Sequence, residues 1–165
     1  MVRRVVKLGK PCNNLKELEA EIMKHVNTVL NKEVAIVIKE SIQSAVSSEV
    51  YLKGIPVSYD RRGGNKYGGM GEPKGTGSLA DVDQMHHTVS GGTLIVTDDA
   101  EPSTPWSKRL DQAISFGYGY EEAWYEVARP FFPEAIEDLK SSKAHIEALK
   151  DGLEDIFGKG NVIRS

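Results

Sequence analysis

The sequence predicts an α+β protein, and three observations predict it. From Leu15 to Ala45 apolar residues return at three- and four-residue steps, with no glycine or proline before Gly54, as in one long amphipathic helix. Met85–Val89 and Thr93–Thr97 are short β-prone runs flanking Ser90-Gly91-Gly92, which reads as a hairpin. A second helical period, carried by Phe132, Ile136, Leu139, Ile146, Leu149, Leu153 and Ile156, follows the helix openers Pro130 and Pro133. The layout is a long N-terminal helix packed on a small antiparallel sheet, with a short helix and a C-terminal helix. No repeat or linker divides the 165 residues, so the expectation is a single domain over residues 1–165.

Taken in order, Val2 to Leu8 is rich in β-branched residues and reads as a short strand or an ordered arm, with Arg3, Arg4, Lys7 and Lys10 making its neighbourhood basic. Asn14 is placed to cap the first helix, with Glu17 three residues on as its capping-box partner. At 1.5 Å per residue a helix of about thirty residues would run roughly 50 Å, long enough to need a bend, a sheet along its length or a partner chain. Ser41, Ser44, Ser47 and Ser48 weaken its last turns. Tyr51 to Arg62 reads as a strand marked by Pro56. Gly63 to Ser78 holds seven glycines in sixteen residues, too many for a regular element, and reads as a flexible loop.

In the hairpin, His87, Val89, Leu94 and Val96 fall on one side and mark its buried face. Thr104-Pro105 opens the short helix, striped by Trp106, Leu110, Ala113 and Ile114 and ended by Gly117. Gly117-Tyr118-Gly119-Tyr120 is an aromatic turn before Trp124 and Tyr125. Arg129-Pro130-Phe131 then leads into the last helix. Phe131 has two readings there, a plug in the core or a contact for a partner.

The same residues offer little chemistry. A net charge of −3 gives no general pull towards nucleic acid or anionic membranes. No stretch is apolar enough for a membrane span, and no signal-peptide core stands at the N-terminus. The lone cysteine, Cys12, excludes an internal disulfide and any cysteine-based zinc cluster. Lys74 is followed by Gly75 rather than by the order a phosphate loop needs, and Gly117-Tyr118-Gly119 meets Glu122 where a dinucleotide fingerprint requires its third glycine. His86 and His87 are adjacent, so on a strand they face opposite ways and cannot share an ion; Asp98 and Asp99 have the same geometry. Asp81 and Asp83 share one side of an extended segment but suit a solvated loop better. His86 or His87 with Ser90 and Asp98 makes a hydrolase triad only on paper, since no glycine-flanked elbow presents the serine. No catalytic residue, metal ligand or cofactor site is expected. The basic arm with Arg61, Arg62 and Lys66 beside Tyr59 and Tyr67 supports a second reading, a nucleic-acid-associated protein.

One ordered set of segments runs through most of the chain. Val50-Tyr51 leads through Tyr59-Asp60-Arg61-Arg62 and a glycine-rich stretch to Leu79. Leu94-Ile95-Val96 closes the hairpin. Leu110 to Ile114 precedes Gly117-Tyr118-Gly119, and Ala128-Arg129-Pro130-Phe131 opens a helix with Leu139-Lys140-Ser141-Ser142. In this order the chain resembles the tail-completion and minor capsid proteins of long-tailed bacteriophages and prophages; its Gly63–Ser78 loop is longer than theirs. The resemblance implies a non-enzymatic virion or assembly component at the head–tail junction, without cofactor. It implies a ring-like homo-oligomer touching portal, adaptor or tail-tube proteins, made in the bacterial host cytoplasm and ending at the virion neck or tail end. Tyr59, Arg61, Arg62, Tyr118, Tyr120, Arg129 and Phe131 are the expected interface residues, as basic and aromatic side chains concentrate at protein contacts.

Overall fold

The computed structural model describes residues 14–52, 79–99, 130–160 and 162. The elements are helix α1 (Leu15–Val29), a π turn (Leu30–Val34), α2 (Ala35–Val46), a second π turn (Ser47–Leu52), a 3-10 turn (Val82–Gln84), strands β1 (Met85–Ser90) and β2 (Thr93–Asp98), α3 (Phe131–Ser142) and α4 (Ala144–Phe157). This is the α+β class expected, a long N-terminal helical run, a two-stranded antiparallel sheet and C-terminal helices. The arm at 2–8, the strand segment after Leu52, the glycine loop at 63–78, the short helix at 104–116 and the aromatic turn at 117–125 lie outside the described residues.

Asn14 starts the first helix as its sequence context predicts. Its Oδ1 accepts from the Glu17 amide at 3.0 Å, and its own side-chain amide donates to Glu17 Oε1 at 3.2 Å. The run then continues through Leu52, so Tyr51 and Leu52 are helical where the sequence reading began a strand. The serines are accommodated in the helix with their hydroxyls turned back on it: Ser47 Oγ donates to the Gln43 carbonyl at 2.8 Å and Ser48 Oγ to that of Ala45 at 3.1 Å. In the first π turn the Ala35 amide reaches back five residues to the Leu30 carbonyl. Each such turn takes in an extra residue and advances the apolar stripe by one position. Buried Val29 and Leu30 are therefore followed by Val34 and Ala35, then by Ile42, Ala45, Val46 and Val50.

Two compact units share these elements, and neither is one continuous stretch of chain. Among the described residues, the first unit holds α1, the first π turn, the start of α2, the hairpin tip His87–Ile95 and α4. Here α4 packs on α1 and on the π turn. Gly152, buried in mid-helix, lies at this contact. A β-carbon there would stand 2.5 Å from Val29 Cγ1 and would overlap the Glu33 carboxylate. About one turn before Val29 on α1, the His25 ring meets the Phe157 ring edge-on at 5.4 Å.

The second unit holds the rest of α2, the second π turn, the 3-10 turn, the hairpin base and α3. Its core is Ile42, Ala45, Val46, Val50, Leu79, Ala80, Met85, Phe131 and Ala135, with Ile38, Val82, Val96 and Phe132 packed against it. Ser41 Oγ lies within hydrogen-bonding reach of the Ala135 carbonyl (3.2 Å) and Asp138 Oδ2 (3.0 Å), tying α2 to α3. The Gln43 side-chain amide donates to the Ala80 carbonyl at 2.6 Å.

The C-terminal period corrects the sequence reading in two ways. The helix is broken at Lys143, which takes a left-handed conformation (φ 57) while its amide caps α3 on Leu139. Of the expected inner positions Phe132 packs against the core and Leu139, Ile146, Leu149, Leu153 and Ile156 are half-buried, but Ile136 is 49% exposed, and Phe131 and Ala135 are the fully buried residues of α3. Phe131 settles this register by filling the core, and Ala135 follows it one turn later.

Candidate functional site

Hairpin geometry positions a polar surface of the first unit. Gly91 and Gly92 both have positive φ (57 and 78), the two-residue turn whose twist matches that of paired strands. The strand faces alternate as predicted: Met85 and Asp98 are buried, His87, Val89, Leu94 and Val96 half-buried, and His86, Thr88, Ile95 and Thr97 exposed. On that inner side the tip is held to the helix by two asparagines one turn apart. Asn27 Oδ1 accepts from the Gly92 amide at 2.9 Å, and Asn31 Oδ1 lies 3.2 Å from His87 Nε2, which donates to it. The Met23 thioether lies beneath the turn, 3.2 Å from where a Gly92 β-carbon would be.

Beside these bonds lies an open cleft of about 660 Å³. Met23 and Val89 supply its apolar floor, Asn27 and Asn31 the amides, and Lys24 and Lys32 two ammonium groups. Both lysines are exposed. Thr28 also lines the cleft, with its hydroxyl donated to the Lys24 carbonyl at 2.9 Å. What this surface offers is positive charge, amide hydrogen bonds and a thioether, chemistry suited to gripping an acidic partner surface.

The titratable groups singled out from the sequence are dispersed. His86 is exposed, 4.0 Å from Asp99, while His87 is engaged with Asn31, so the two do face apart. Asp98 is buried at the end of β2 and Asp99 is exposed, again on opposite sides. Asp81 does not line up with Asp83 as a cation clamp; its carboxylate caps the 3-10 turn by accepting from the Asp83 amide at 3.1 Å. His145 is half-buried on α4. Among the described residues no group of three or more His, Cys, Asp or Glu is placed to hold a metal ion.

Of the expected interface residues, Tyr59, Arg61, Arg62, Tyr118, Tyr120 and Arg129 lie outside the described residues. Phe131 is wholly buried, with its ring 4.5 Å from that of Phe132, so its side chain is a core plug and not a contact for a partner. Sequence reasoning missed Asn27 and Asn31. Their signal is two asparagines at i and i+4 on a helix that is otherwise apolar and charged, which marks a polar dock only once a hairpin is known to sit over it.

A family-wide sequence profile, YomN, matches residues 14–155, from the cap of α1 almost to the end of α4. The chain belongs to the YomN family. That family name is associated with Bacillus phages and prophages, and this YomN-family chain is accordingly phage-related. No curated protein and no solved structure matches it. Among its described residues no helix is long and apolar enough to cross a membrane.

Proposed function

We propose that this YomN-family chain is a structural or assembly protein of a phage virion, acting at the head–tail junction in a tail-completion or minor capsid role. It works through contacts with copies of itself and with portal, adaptor or tail-tube proteins, without catalysis and without a cofactor. It is made in the host cytoplasm and ends at the virion neck or tail end. The observation that carries this reading is the phage-related family match over residues 14–155. The cleft is compatible with it, being an open surface lined by Lys24 and Lys32. Arg61, Arg62 and Arg129, with Tyr59, Tyr118 and Tyr120, are the contact residues of this reading; Phe131 leaves the set because it is buried.

The test is deletion of the gene from the phage that carries it, followed by electron microscopy of lysates. The expected result is filled heads and separate tails, or tails of abnormal length, with joined particles restored by a plasmid copy. Normal titre and normal particles from the deletion strain would refute the role.

A further inference from the structure

The first unit carries a second charged surface that matches its cleft. Along α4 the exposed positions are Glu147, Asp151 and Asp155, with half-buried or buried residues everywhere else. They follow one another at i, i+4 and i+8, so they form one stripe on one face. Like charges at this spacing repel along the helix. Among the described residues, Glu147 of this stripe has a cationic neighbour, Lys150 at 4.0 Å. The stripe spans about 12 Å at 1.5 Å per residue, and the cleft lysines, Lys24 and Lys32, are also eight residues apart along their own helical run, again about 12 Å. Stripe and cleft lie on different elements of the same unit, so one copy can present both at once.

We propose that the acidic stripe Glu147–Asp151–Asp155 of one copy docks in the Lys24–Lys32 cleft of a second copy. The contact joins two different surfaces, so it propagates head to tail, and a rotation that closes makes a ring. This deepens the assembly reading and rests on it, by naming the surfaces through which copies join. Met23 and Val89 at the cleft floor give the helix an apolar seat between the lysines. Contacts between exposed charges are individually weak and salt-screened, so the free protein associates weakly and reversibly, and many repeats of the contact hold an assembled ring.

Sedimentation velocity of the full chain tests this at about 50 mM and about 500 mM NaCl, which changes the screening length severalfold. Two charge-reversal sets are compared, Lys24→Glu with Lys32→Glu, and Glu147→Lys with Asp151→Lys and Asp155→Lys; circular dichroism verifies that each is folded. The wild-type chain is expected to associate at low salt, with an association constant about tenfold smaller at high salt. Each reversed set alone should be monomeric, and an equimolar mixture of the two should associate again, because each reversed surface then meets its complement. A wild-type chain that is monomeric at low salt, or association unchanged by the reversals, or a mixture that stays monomeric, overturns the pairing. Those outcomes concern only which surfaces join; the assembly role itself fails or stands in the deletion experiment.

Discussion

Replacing Gly152 by alanine sets two effects of opposite sign against each other. In a helix interior alanine is favoured over glycine by about 0.8–1.0 kcal/mol, so an exposed site would gain stability. At Gly152 the added β-carbon meets Val29 Cγ1 at 2.5 Å and overlaps the Glu33 carboxylate. Glu33 is exposed and its carboxylate can swing aside. Val29 cannot: it is 2% exposed, and a valine in a helix is held to one side-chain rotamer. Overpacking of this kind costs about 1–3 kcal/mol, and with Val29 unable to yield, the upper end applies. The net expectation is a loss of about 2 kcal/mol, roughly thirtyfold in the folding equilibrium. Urea denaturation followed by circular dichroism at the helical band measures it, with Asp151→Ala on the exposed face of α4 as a control expected to change stability by no more than about 0.5 kcal/mol. The decisive measurement is the same substitution in a Val29→Ala background. With the obstructing methyl gone, Gly152→Ala should turn neutral or stabilising by up to about 1 kcal/mol. If Gly152→Ala stabilises the wild-type chain, or costs the same in both backgrounds, the close approach of α4 to α1 is not what constrains this residue.

Lys143→Gly should raise stability by about 0.5–1 kcal/mol, since glycine removes the strain of a left-handed non-glycine residue and gives back part of that gain as unfolded-chain entropy; a lower denaturation midpoint would refute this. Phe131→Ala empties a fully buried ring site and should cost about 3–5 kcal/mol, seen as a large fall in urea midpoint, whereas an interface residue would leave the isolated chain unchanged. Ser41→Ala removes a side chain that joins α2 to the Ala135 carbonyl and to Asp138, and should cost about 1–2 kcal/mol in the same assay. Gly91→Asn should be tolerated within about 0.5 kcal/mol, because asparagine accepts positive φ and a β-carbon there meets nothing within 4 Å, while Gly91→Val should destabilise measurably; equal melting temperatures for the two variants would argue against the turn.

Local chemistry made several elements legible. Asn14 and Glu17 announce the start of α1, and the absence of glycine and proline before Gly54 foretells one long helical run, though not its continuation through Tyr51 and Leu52, which read as the start of a strand. The two glycines at 91 and 92 between β-prone runs foretell the hairpin, and its period of two foretells which side faces inward. Other features depend on distant partners. The serines read as helix-weakening because their bonds to Gln43 and Ala45 form only when the helix already exists. The exposure of Ile136 has a similar origin: Phe131 and Phe132 both meet the core, and nothing local says that Ala135 rather than Ile136 follows them inward.

By itself, then, the amino-acid order determined the class of the protein, the cap of its first helix, the hairpin and its inner face, because those depend on neighbours within a few residues. Tertiary structure alone decided that Gly152 is a contact point, that Asn27 and Asn31 hold the hairpin tip, and that the lysines at 24 and 32 share a cleft. The contacts behind these facts join residues 56 to 123 positions apart, as His87 with Asn31 and Gly152 with Val29 do, and no local preference encodes such a meeting. It arises when apolar faces are buried together, and the side chains then available at the seam become the surface on which function can be built.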